Sequence, residues 1–129
     1  MNENKDDLIK YRISRAFETL LEAELLSKEK FWNAAVNRAY YACYYIVSGL
    51  LLKNEINPKS HKGVRQMFAL HFIQTELISK DWGRFFSDLF DKRQTGDYDD
   101  FVVIDKETTE EIIELTKGFL VEIERNIVR

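Results

Sequence analysis

The sequence predicts an all-α fold, an up-and-down bundle of four to five helices forming a single domain over residues 1–129. Three observations predict it. Apolar residues recur every three to four positions in several long stretches, the pattern of a helix with one buried stripe. The 129 residues include one proline and five glycines, too few for the many turns of a β-sandwich. No stretch alternates convincingly between apolar and polar: "FVVI" at 101–104 is β-prone but isolated, with no second strand to pair with.

From Lys5 to Ser27 the apolar positions are Leu8, Ile9, Ile13, Ala16, Phe17, Leu20, Leu21 and Leu25, with Arg12, Arg15, Glu18 and Glu22 outside the stripe. A second helix is expected from about Phe31 to Lys53. It is apolar around most of its circumference and so should be the central helix, touched on several sides. Asn57-Pro58 turns the chain away from helix, and Ser60 is placed to cap the next one. That third helix runs from His61 to about Phe72 on Val64, Met67, Phe68 and Phe72, and a short "TELISK" element follows. A fourth is expected from about Asp81 to Arg93, with Trp82, Phe85, Phe86, Leu89 and Phe90 on one face. The stretch "QTGDYDDF" then reads as a break, with Arg93 on the last turn before it. "DKETTEEIIELTKGFLVEIERNIV" restarts a helix, its acidic residues early, where the helix dipole favours them.

Bulk properties narrow the function. Apolar residues make up 45% and charged residues 32%, a globular composition and not a disordered one. Net charge is −3, so no global positive field draws in nucleic acid, and such a contact must rest on a local patch. Cys43 is the one cysteine; it excludes an intrachain disulfide and a thiolate metal cluster, and its aromatic helical setting suits a buried inert thiol. The start, "MNENKDDLIK", has no basic region followed by an apolar core, so no signal peptide is expected, and "YYIVSGLLL" is about half of what a membrane span needs. A cytoplasmic protein without membrane contact is expected. Walker, GxGxxG and HExxH motifs are absent, and His61 and His71 have no cysteine partners, so neither cofactor nor metal is expected. Asp97, Asp99, Asp100 and Asp105 lack the spacing of a calcium loop and read as a solvated acidic turn.

Three places carry chemistry. In "NAAVNRAYYACYY", Arg38, Tyr41 and Tyr45 share one helix face while Asn37, Tyr40 and Tyr44 share another. An arginine in so apolar a helix needs a partner: a structural carboxylate such as Asp97, a cluster of carbonyls, or the phosphate of a ligand. In "NPKSHKGVR", Lys53, Lys59, Lys62 and Arg65 outnumber Glu55, and His61 sits at a helix start. That suits a phosphate, or simply a solvated, serine-capped turn. In "RQTGDY", Asp97 is placed to accept hydrogen bonds from Arg93 and Tyr98 to lie over the helix end.

Taken in order, "FWNAAVNRAYYACYY", "SHKGV…F" and "R…DY" before a last amphipathic helix resemble the HEPN superfamily, more narrowly its short stand-alone prokaryotic members. The resemblance runs from about Leu8 to Ile127. It implies a helical bundle, commonly a homodimer, often paired with a nucleotidyltransferase-like protein in toxin–antitoxin modules. Catalytic members are metal-independent ribonucleases with an R-x4–6-H motif, in which histidine moves a proton and arginine steadies charge on phosphorus. Here the six residues after Arg93 contain no histidine, and Tyr98 stands where R-x4-H would place it. A phenol, with its ordinary pKa near ~10, is a poor base at neutral pH.

The leading expectation is therefore a dimer that binds a nucleotide, RNA or a partner protein, with ligand-binding residues Arg38, Tyr41, His61, Lys62, Arg93, Asp97 and Tyr98. Arginines would meet phosphate and tyrosines would stack on a base. One alternative is a ribonuclease toxin with His61 and Arg93 as catalytic residues. Another is a purely structural protein–protein interaction module.

Overall fold

The computed structural model describes residues 2–98 and 103–129, with side chains over 4–93 and 103–129. Its elements are α1 (Asn2–Lys28), α2 (Trp32–Lys53), α3 (His61–Phe68) with a π-helical turn (Ala69–Ile73) continuing it, α4 (Lys80–Tyr98) and α5 (Lys106–Val128). All are helical, in agreement with the expected all-α bundle. No strand occurs among the described residues; of "FVVI", 101–102 lie outside them and Val103-Ile104 are irregular.

The central position of α2 follows from its composition. Ala35, Val36, Ala39, Tyr40, Ala42, Cys43, Ile46, Val47, Leu50 and Leu51 are all fully buried, and α2 packs against α1, α5, α4 and α3. At ~1.5 Å per residue its 22 residues extend about 33 Å. Cys43 lies deep in this core, and burial pushes its thiol far above the ordinary range, as an inert side chain requires. Phe119 of α5 closes the aromatic part of the core, stacked on Phe86 (centroids 5.8 Å, 14°) and edge-on to Phe68 (6.1 Å, 76°).

The helix ends show what the spacing of apolar residues leaves out. Phe31 N donates to Leu26 O (2.9 Å) and Lys30 N to Ser27 O (3.0 Å), the paired bonds of a Schellman motif after α1. Ile56 N to Leu51 O (2.9 Å) and Glu55 N to Leu52 O (2.9 Å) repeat it after α2. The left-handed position is filled by Lys30 (φ 67°) and Glu55 (φ 64°), where glycine is usual.

Two expectations are corrected. "TELISK" is not an element of its own: residues 74–79 are turns, closed by Ile78 N donating to Phe72 O (2.9 Å). Nor does α4 stop at Arg93; it continues through Gly96 to Tyr98. A helical glycine costs only about 1 kcal/mol against alanine, too little to end a helix by itself. Arg93 therefore sits inside α4, more than a turn before its last residue.

Candidate functional site

Three elements bring their polar side chains to one place. Ser60 is extended (φ −122°, ψ 157°), and its Oγ accepts a hydrogen bond from Gly63 N (2.9 Å), which starts α3 at His61 as expected. The chain is tight here: a methyl on Gly63 would lie 3.0 Å from Pro58 Cβ and from the capping Ser60 Oγ. The cap thus fixes where His61 leaves the backbone.

His61 enters an aromatic pocket on α2. Its ring stacks on Tyr44 (centroids 4.2 Å, 19°), lies nearly parallel to Tyr40 (5.8 Å, 26°) and meets Tyr41 edge-on (5.6 Å, 88°). Its Nδ1 lies 2.8 Å from the hydroxyl of Tyr40. From α4, the Arg93 guanidinium stands 5.0 Å from the Tyr40 ring centroid and 5.8 Å from that of Tyr41, within cation–π range. Arg38 lies over Tyr41 as well, at 5.0 Å.

The electrostatics follow from this packing. Partial burial, and then the nearby charge of Arg93, hold His61 below its ordinary value of 6.5, so the ring is neutral at physiological pH. Burial drives the Tyr40 phenol well above its ordinary range, with Arg93 opposing, so it keeps its proton.

Arg38, Tyr41, His61 and Arg93 thus gather around one ring, that of Tyr41. Lys62, next to His61 on the first turn of α3, is exposed. The side chains of Asp97 and Tyr98 lie outside the described residues. Arg38 has a structural carboxylate, Glu22 of α1 (3.3 Å), and both side chains are half-buried. The arginine of α3, Arg65, lies 4.7 Å over the Phe90 ring and bonds to Ser87 Oγ (2.6 Å) and Asp91 (3.2 Å).

Sequence reasoning passed over Tyr40 and Tyr44, the residues closest to His61. Their i, i+4 spacing showed a shared face, but nothing local told that the loop after α2 would lay a histidine upon it. A hollow of about 580 Å³ lies elsewhere, between α1 and α5. It is lined by Leu21, Leu25 and Ile113 and crossed by the Lys117–Glu24 ion pair (3.3 Å). Among the described residues no three metal-ligating side chains come together, and no helix is long and apolar enough to cross a membrane.

Comparison with known proteins agrees with this architecture. The family model of the HEPN domain matches residues 9–126. A UPF0332 protein of Thermotoga maritima is 40% identical over 127 residues, covering 98% of this chain and 96% of that protein. Two proteins of Methanocaldococcus jannaschii are also similar. The one named "Putative toxin MJ0142" is 39% identical over 108 residues (84% of this chain, 74% of that one). The one named "Putative toxin MJ0605" is 36% identical over 111 residues (86% and 80%). With the family model matched along nearly all of its helices, and a relative aligned almost end to end, the chain belongs to the HEPN family.

Proposed function

We propose that this chain binds a nucleotide or RNA as a homodimer within a prokaryotic toxin–antitoxin module, with a nucleotidyltransferase-like protein as its partner. The observation that carries the reading is the convergence of Arg93 and His61 on the tyrosines of α2. Guanidinium groups beside partly exposed tyrosines supply what a nucleotide needs, a charge for phosphate and a ring for a base. Arg38 and Lys62 extend the cationic edge. The toxin names of the two archaeal relatives support the module.

Isothermal calorimetry with a short RNA tests the reading. Binding should weaken as salt rises, because phosphate contacts release counterions. An Arg38→Ala/Arg93→Ala double variant should bind about 10-fold or more weakly, the loss expected for a charged hydrogen bond. Equal binding by the double variant, with its fold intact, would sink the proposal.

One observation favours a second reading, a metal-independent ribonuclease. His61 is neutral and adjacent to Arg93, and a neutral imidazole beside a cation is the pairing that proton transfer at phosphorus uses. Expression would then arrest growth, and His61→Ala or Arg93→Ala would each abolish the arrest. RNA left intact by concentrated protein in chelator would count against cleavage.

A further inference from the structure

We propose that Tyr40 is a positioning residue that holds His61 as its Nε2–H tautomer, so that His61 and Arg93 together offer hydrogen-bond donors to an anionic ligand of the phosphate class. The inference rests on the binding reading above for the ligand, but its core concerns the free protein.

The argument is one of hydrogen-bond satisfaction. Tyr40 is completely buried. Among the described residues its hydroxyl has one partner, His61 Nδ1 at 2.8 Å. Two arrangements fit that distance. If Nδ1 donated, the phenolic proton would be left in the core with no acceptor, a costly state for a buried donor. If Tyr40 donates, both groups are satisfied. Burial keeps the phenol protonated, and therefore a donor, at physiological pH. With Nδ1 accepting and the ring neutral, the ring proton is on Nε2.

The surroundings hold the ring in that orientation. From α2, Tyr44 stacks on it and Tyr41 meets it edge-on; from α4, Arg93 supplies the charge that acts on it; Lys62 follows it on α3. Among the described residues Nε2 has no hydrogen-bond partner, and the His61 side chain is only partly buried. The ring nitrogen open to a ligand is thus an N–H. It can give a hydrogen bond to a phosphate oxygen beside the Arg93 guanidinium. It cannot take the proton of an attacking hydroxyl. The resting tautomer therefore favours anion binding over the general-base role that the ribonuclease reading gives to His61.

Nitrogen-15 NMR of the histidine rings in the full chain at pH 7.5 tests this, with exposed His71 as internal reference. In the wild type, His61 Nδ1 should resonate as an unprotonated nitrogen and Nε2 as a protonated one. In Tyr40→Phe, checked for an unchanged amide spectrum, the two should move toward the averaged pattern of an unconstrained ring. A protonated Nδ1 in the wild type overturns the proposal, whether or not the variant folds. So does an unchanged pattern in a folded Tyr40→Phe. Adding a 5′-phosphorylated short RNA should shift the Nε2–H signal of the wild type, and a perturbation confined to Nδ1 overturns the anion-donor role. The expected tautomer with no heat on RNA addition upholds the part played by Tyr40 and overturns the binding reading alone.

Discussion

Along α2, two sides made from consecutive residues do opposite things. One carries Ala35, Ala39, Cys43 and Ile46, all fully buried and nearly all small, so that neighbouring helices close onto it. The other carries Tyr41, Tyr44 and Tyr45, half-buried, with Arg38 and Arg93 over the Tyr41 ring and His61 stacked on Tyr44. Tyr40 belongs to both: its ring lies in the core against Phe86 (6.1 Å, 8°), and its hydroxyl reaches the histidine. Residue size accounts for the difference. Small side chains let backbones approach and exclude water, whereas a row of tyrosines holds neighbours off and leaves polar tips near the surface.

The comparison is broken most severely from the closed side. Phe119→Ala should cost about 3–5 kcal/mol in urea denaturation, as expected for a fully buried aromatic packed against four other rings. A loss below about 1 kcal/mol would mean that α5 is not seated as described.

The open side should respond to pH. Because the folded protein holds His61 below its ordinary value of 6.5, the unfolded chain takes up the proton first as pH falls. The stability tied to neutral His61 is therefore fully present above about 6.5 and is lost as pH falls through its lowered folded value. Melting temperatures from pH 7.5 to 5 should drop more steeply for the wild type than for His61→Asn. Parallel slopes would show that the ring is not desolvated.

Two smaller effects sharpen the contrast. Arg38→Ala breaks a half-exposed pair with Glu22 and should change stability by about 0–1 kcal/mol. A melting curve showing a loss of several kcal/mol would instead make Arg38 a buried structural charge. Lys30→Gly relieves a left-handed lysine after α1 and should stabilise by up to about 1 kcal/mol in chemical denaturation.

Much of the fold was legible in the sequence because burial leaves a period. The stripes of α1, α4 and α5, the all-round apolarity of α2 and the Ser60 cap each point to the element observed. Features without a period were not legible. The Schellman turns at Lys30 and Glu55 lack the glycine that announces them. The π-helical turn keeps Phe68 and Phe72 four apart, as an α-helix would, so its extra residue per turn is silent. In the site, Arg38, Tyr41, His61 and Arg93 stood out as residue types needing partners. Which partners they meet depends on where the 54–60 connection and α4 come to lie, and spacing alone did not point Arg38 to Glu22 or His61 to Tyr40.

Gly83 bears on how the cationic edge is held at its proper distance. A methyl there would fall 2.9 Å from two side-chain carbons of Ile73, inside carbon–carbon contact. The start of α4 is therefore pressed against the π-helical turn with nothing between. Arg93 lies ten residues further along a stiff rod, about 15 Å away. Between the two, Phe86 and Leu89 are buried in the core, so the line of α4 is set by its seat at Gly83 and by those two side chains together, and Arg93 is carried to the tyrosines of α2 along it.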